Sequence, residues 1–190
     1  MSDGRRALVA MGASWGGLEV LRRVLQALPG DFGAAIVVAQ HRAAESHRTA
    51  FRDLLGAVTA LRVREADDKD TIEPGTVYLA APDYHLLVED GTLALSTDGP
   101  VLFARPSIDV LLASAAEAYR DRCVGVVLTG ANADGAEGLA RIAELGGAAV
   151  VQDPETAVRP EMPRAALAAV PEARVCTVDE LAPVILELCA

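Results

Sequence analysis

The chain has 190 residues, enough to bury a sizeable core within one domain. Its 27 acidic against 17 basic residues give a formal charge of −10, which argues against nucleic acid or an anionic membrane surface as partner. Phe, Tyr and Trp make up only 4%, too few for a base-stacking platform, and no apolar run reaches the roughly 18–20 residues that span a bilayer.

The N-terminal MSDGRRALVAMG lacks the long apolar segment of a secretory signal. Cys123, Cys176 and Cys189 are scattered and odd in number, without C-x-x-C spacing. Neither a disulfide framework nor a zinc site is expected, and a reducing cytoplasm fits. A first apolar run at 7–11 leads through Met11-Gly12-Ala13-Ser14-Trp15-Gly16-Gly17 into a helical pattern at 17–28. A second run, 34–39, ends in Gln40-His41 and precedes helical spacing at 45–55, with His47 on its polar side. The acidic stretch 65–70 reads as a solvated loop. A run at 77–80 is followed by 84–95, where Asp90-Gly91 between short apolar runs marks an antiparallel hairpin that His85 opens beside Asp83. Helical patterns follow at 108–119, 135–145 and 179–188, and apolar runs at 124–128, 148–151 and 174–176. Runs that are apolar throughout, not alternating, predict strands covered on both faces, hence a parallel sheet with helices on each side. No repeat, low-complexity tract or linker interrupts residues 1–190, which read as one α/β domain.

Sites in open parallel sheets form where loops leave the carboxyl ends of the strands. Ser14 follows the first run, His41 the second, and Asp134 lies in Thr129-Gly130-Ala131-Asn132-Ala133-Asp134-Gly135 after the run at 124–128. Hydroxyl, imidazole and carboxylate match the division of labour in acyl transfer: attack, proton acceptance and orientation of the base. The glycines around Ser14 permit a sharp turn, and helix-start N–H groups can face an oxyanion. Glycine turns serve other ends too, and the loop reads equally as a plain turn with Ser14 as N-cap. A Walker loop lacks its Gly-Lys-Ser/Thr ending here, and GASWGG does not supply a dinucleotide fingerprint. The order Ser, His, Asp also differs from that of an α/β-hydrolase.

Five collinear motifs resemble the catalytic domain of CheB-type chemotaxis protein-glutamate methylesterases. They are Gly12–Gly17, Gln40-His41, Arg105-Pro106-Ser107-Ile108-Asp109-Val110-Leu111, Leu128-Thr129-Gly130 with Asp134-Gly135-Ala136 and Gly138, and Met162-Pro163-Arg164-Ala165-Ala166. The resemblance implies a doubly wound α/β/α domain, mainly parallel with an antiparallel hairpin. It implies hydrolysis of glutamate γ-methyl esters on chemoreceptor cytoplasmic helices, with methanol released, and deamidation of receptor glutamines in some members. It makes Ser14 the nucleophile, His41 the general base and Asp134 the orienting acid, places Trp15, Ala131, Arg105 and Met162 at the oxyanion and substrate side, and requires no cofactor or metal.

The chain departs from that pattern at Trp15, where the family often has a small residue or Thr, at Ala131 and Asn132, and at Glu161, where glycine is common. Many members also begin with a phosphorylatable receiver domain, and this chain starts almost at its first strand. Its activity is then constitutive, controlled by a separate regulatory chain, or seen here apart from its regulator. Several residues keep a second reading. Asp134 could cap the helix that follows it, Arg105 and Asp109 either position substrate or tie a helix start to a loop, and His85 marks a structural turn or the site edge. A non-catalytic receptor-binding module that retains the fold is the alternative to the esterase.

Overall fold

The computed structural model describes residues 7–42 and 48–190. In chain order it contains β1 (Leu8–Ala13), α1 (Gly17–Ala27), β2 (Ala35–Gln40), α2 (Arg48–Gly56), β3 (Arg62–Glu65), β4 (Thr76–Leu79), β5 (His85–Val88), β6 (Leu93–Ser96) and α3 (Ile108–Tyr119). It continues with β7 (Cys123–Val127), α4 (Ala136–Glu144), β8 (Ala148–Gln152), α5 (Glu161–Ala169), β9 (Arg174–Cys176) and α6 (Val178–Cys189). The predicted helix at 45–55 is observed from Arg48 onward; Glu45 and His47 lie outside the described residues.

Seven parallel strands form one sheet in the order β3-β4-β2-β1-β7-β8-β9, and β5-β6 is the expected antiparallel hairpin. Strands β1, β2, β4 and β7 are buried at every position, as their unbroken apolar runs predict. Successive residues face opposite layers. Leu8 and Ala10 join Leu111, Leu112, Leu139 and Ile142 under α3 and α4, whereas Val9 and Met11 join Leu21, Val24, Leu181 and Ile185 under α1 and α6. Full burial of such a side chain stabilises by about 1.5–3 kcal/mol, so the two layers fix the sheet firmly. Among the described residues no helix is long and apolar enough to cross a membrane.

The chain leaves β1 toward β2 on one side and returns to β7 on the other, so β1 lies between them. That reversal of direction opens a crevice at the carboxyl ends of three adjacent strands.

Two elements have no counterpart in the sequence reading. Strand β3 is an edge strand, Arg-Val-Arg-Glu, charged at three of its four positions, with no apolar run to betray it. Helix α5 begins Glu161-Met162-Pro163, a first turn that tolerates proline because its N–H groups have no partner within the helix. The acidic stretch 65–70 is not merely a solvated loop. Asp68 accepts the Leu95 N–H, Lys69 N–H donates to the Leu93 carbonyl, and Leu93 N–H donates to the Asp70 carbonyl, so the stretch clasps the hairpin.

Helices α3 and α4 start side by side and exchange caps. Asp134, which precedes α4, accepts the N–H groups of Ile108 (2.7 Å) and Asp109 (2.8 Å) at the start of α3. Asp109, in the first turn of α3, accepts those of Gly135 (2.9 Å) and Gly138 (2.8 Å) at the start of α4. Each carboxylate therefore satisfies the orphan donors, and faces the positive dipole end, of the other's helix. The expectation that Asp134 caps its own helix is corrected, because Gly135 holds the N-cap of α4 with φ near 101°.

Burial pushes the Asp109 carboxyl up to about 6, and the neighbouring Asp134 charge adds to this against the lowering bonds from Gly138 and Gly135. A folded value above the unfolded value near 4 means that the native state binds the proton more tightly. The contribution of Asp109 to the unfolding free energy therefore falls as pH rises from about 4 to about 6. Asp109→Asn is expected to remove that decline, gaining on the parent by roughly 1–3 kcal/mol across the window. Denaturant unfolding of both proteins between pH 4 and 7.5 checks it; parallel profiles would refute the assignment.

Candidate active site

Three loops converge on the crevice. The first carries Ser14 directly after β1, where Ser14 N–H donates to the Thr129 carbonyl (2.9 Å). Gly16 is the N-cap of α1 with φ 83°, a left-handed turn that a side-chain-bearing residue rarely adopts. The expectation that Ser14 caps α1 is corrected: no side chain caps this helix. Ser14 Oγ lies 3.2 Å from His41 Nδ1 instead.

The second loop places His41 at the end of β2. Gln40 is buried beside it and donates its amide N–H groups to the carbonyls of Ser14 (2.8 Å) and His41 (3.0 Å), tying the two loops together. The far nitrogen of His41, Nε2, is 2.7 Å from Asp134 Oδ2. An ionised carboxylate only accepts, so Nε2 carries the proton and Nδ1 is left with a lone pair toward the serine hydroxyl.

The third loop fixes the acid. Asp134 is fully buried, and besides His41 and the two α3 amides it accepts the Ser107 hydroxyl (2.9 Å). Burial alone would raise this carboxyl. The hydrogen bonds from His41, Ile108 and Asp109 outweigh it and hold the group below the ordinary carboxylate range. Asp134 therefore stays charged, and it is Asp109 that keeps a proton into mildly acid conditions. Hydroxyl, imidazole and carboxylate are thus joined in one hydrogen-bonded chain that can pass a proton off the serine while an opposite charge stabilises the imidazolium.

The other sequence candidates fall in different places. Trp15 is 65% exposed beside Ser14, with the Arg159 guanidinium 5.8 Å from its ring centroid. Ala131 is exposed on the third loop, whereas Met162 is 1% exposed and packs beneath Gly130, under the site and not in its wall. Arg105 braces the site edge from outside. Its guanidinium bonds Asp83 (2.6 Å) and the carbonyls of Thr97 (2.9 Å) and Asp98 (3.0 Å), so it ties the loop before α3 to the hairpin's exit. His85 is buried: its Nδ1 accepts the Ser107 N–H (3.1 Å) and its Nε2 donates to the Gly99 carbonyl (3.0 Å). It supports Ser107, and through Ser107 the acid.

Sequence reasoning gave no role to Ser107 or Thr129. The Thr129 hydroxyl donates to the Trp15 carbonyl (2.9 Å) and accepts the Arg159 N–H (2.9 Å), joining the serine loop to the segment before α5. A serine directly before a patterned helix was a visible cap signal for Ser107, but nothing local pointed it at a carboxylate 27 residues away.

An open cleft of about 530 Å³ lies on the His41 side, lined by Asp83, Phe103, Arg105 and Asn132 among others. A second of about 420 Å³ lies on the Ser14 side, lined by Gly16, Leu18, Gln40 and Phe51, and Arg42 borders both. Among the described residues no group of three or more His, Cys, Asp or Glu is placed to hold a metal ion.

Known proteins share this arrangement of the chain. The family model described as CheB methylesterase matches residues 9–185. A Leptospira interrogans protein, provisionally named protein-glutamate methylesterase/protein-glutamine glutaminase, is 44% identical over 181 residues, which are 95% of this chain and 93% of that protein. Protein-glutamate methylesterase FrzG of Myxococcus xanthus is 44% identical over 162 residues, 84% of this chain but 48% of FrzG. The crystal structure of the Thermotoga maritima CheB methylesterase catalytic domain superposes with a TM-score of 0.90 at 31% identity, covering 96% of this chain and 98% of that one.

Gly130 supports the serine directly. A Cβ there would overlap Met162 Sδ and lie 2.8 Å from Ser14 Cβ. Gly130→Ala is therefore expected to destabilise by about 1–3 kcal/mol, as overpacked cores do, and by less in a Met162→Ala background that vacates the space. A double-mutant cycle in denaturant measures the coupling; additive penalties would show that the contact is not the cause.

Proposed function

The chain belongs to the CheB methylesterase family, and from that premise we propose that it hydrolyses glutamate γ-methyl esters of a protein substrate through Ser14, His41 and Asp134. Residues 1–190 act as one catalytic domain, and the substrate side chains lie on the cytoplasmic helices of methyl-accepting chemoreceptors. The observation that carries this reading is the imidazole held between two partners, with the Ser14 hydroxyl at 3.2 Å and the Asp134 carboxylate at 2.7 Å.

The reaction follows from that geometry. His41 Nδ1 takes the hydroxyl proton as Ser14 Oγ bonds to the ester carbonyl carbon, and the Asp134 charge stabilises the imidazolium through Nε2–H. The carbonyl oxygen becomes an oxyanion. The N–H groups of Trp15, which follows the nucleophile, and of Ala131, which follows the Gly130 packed against Ser14, have no protein acceptor among the described residues, and in this reading they serve as its donors. The tetrahedral centre then collapses, the bond to the methoxy oxygen breaks, and His41 returns its proton to that oxygen, so that methanol leaves. Water enters, gives a proton to His41 and attacks the acyl-serine; a second collapse restores the hydroxyl and frees glutamate. With a glutamine side chain the same steps release ammonia. Because His41 must be unprotonated to begin, activity falls on acidification, while Asp134, held ionised, contributes no loss of its own near neutral pH.

We place the protein in the cytoplasm, where the receptor helices are. A separate regulatory chain that controls access to the cleft is part of the same proposal.

Ser14→Ala is expected to lower the rate of methanol release from a methylated receptor cytoplasmic fragment by roughly 10³–10⁶-fold, because members of such a chain act as a unit. The exposed Trp15 and the altered Ala131-Asn132 stretch favour one rival, a binding module that has kept the fold. Tight binding of the fragment, with no Ser14-dependent methanol and no labelling of Ser14 by a fluorophosphonate, would establish the rival instead.

A further inference from the structure

Seven large apolar side chains are exposed among the described residues: Trp15, Leu54, Val101, Leu102, Phe103, Val158 and Val175. Four of them sit on the loops around Ser14 and His41. Trp15 adjoins the serine. Val158 lies where a side chain on Gly16 would collide with it, at 2.8 Å. Leu102 and Phe103 line the cleft that His41 shares. Isolated exposed apolar residues need no explanation, but a cluster at the mouth of a site does.

The Val101–Ala104 segment is built to display its tip. Leu102 and Phe103 have φ of 47° and 63°, left-handed values that Gly, Asn and Asp adopt far more readily than bulky apolar residues. Two backbone hydrogen bonds close the turn, Val101 N–H to the Ala104 carbonyl (3.1 Å) and Ala104 N–H to the Val101 carbonyl (2.9 Å). The Arg105 guanidinium pins its base to Asp83, Thr97 and Asp98. Phe103 is left fully exposed. Within this chain the arrangement sets an aromatic ring in water at an unfavourable backbone geometry and gains no packing for it.

Resting on the esterase reading above, we propose that Leu102 and Phe103 form an apolar anchor for an α-helix of the protein substrate, gripping it beside the residue whose ester enters the cleft. A helix suits the place for two reasons. An extended peptide would look for backbone partners, and those of Val101 and Ala104 are already paired with each other. A helix satisfies its own backbone and brings side chains one turn apart to one face, so one can reach Ser14 while its neighbour covers Phe103. The charge fits as well. Arg159, stacked on Trp15, has no carboxylate partner among the described residues and offers the rim of an otherwise acidic protein a free cation for an acidic helix.

The test measures binding apart from chemistry. In a Ser14→Ala background, Phe103→Asp is expected to weaken binding of the helical receptor cytoplasmic fragment by roughly 10- to 100-fold, the loss of one buried aromatic contact. Phe103→Leu should stay within about threefold, since it keeps apolar cover. Aspartate tolerates the left-handed backbone better than phenylalanine, so folding is not at stake. Unchanged binding by Phe103→Asp would overturn the anchor and leave the esterase reading intact wherever methanol release depends on Ser14. The converse result, Phe103-dependent binding without Ser14-dependent methanol, would sustain the anchor and remove the esterase.

Discussion

The exchange of caps between α3 and α4 is the constraint on which the site depends. Asp134 gathers four donors, from His41, Ser107, Ile108 and Asp109. A buried carboxylate with fewer would protonate or draw in water. Because two of those donors are backbone groups at the start of α3, the carboxylate is oriented by a helix packed into the core, while Asn132 of its own loop bonds only its main-chain N–H. The acid then orients the imidazole, while Ser14 is held by its own N–H on the Thr129 carbonyl and by Gln40 on its carbonyl.

The second carboxylate completes the exchange at an electrostatic cost. Asp109 secures α4 by accepting Gly135 and Gly138 N–H groups, yet its burial, and after that the nearby Asp134 charge, disfavours its ionised form. The pair resolves this asymmetrically. The carboxylate that faces the imidazole keeps the charge, and the one that faces only helix amides holds a proton more readily. This division leaves an undiluted negative charge behind His41 at neutral pH.

Much of this was legible in the sequence, and for identifiable reasons. The runs that became β1, β2, β4 and β7 were apolar at every position because helices cover both faces of the sheet. The placement of Ser14, His41 and Asp134 followed from their positions just beyond those runs. Other features left no local trace. Strand β3 is polar because it lies at an edge. The choice of helix that Asp134 caps could not be read from its neighbours, since the partner amides are 25 and 26 residues away. Met162 belonged to a recognisable motif, but only the packing puts it under Gly130 instead of in the cleft.

The anchoring of Asp134 from α3 has a consequence for sequence change. The segment 131–133 runs between two fixed ends: Gly130, whose N–H and carbonyl are bonded to Arg159 and Met162, and Asp134, held from the neighbouring helix. Within it Asn132 Oδ1 accepts the Asp134 N–H (3.1 Å), but the carboxylate itself is held by His41, Ser107 and the start of α3. A change at the exposed Ala131 can alter what the mouth of the site presents to an incoming molecule without removing a bond to Asp134, whereas a change at Asn132 also removes the bond to the Asp134 N–H. At position 131 selection can work on the two properties separately.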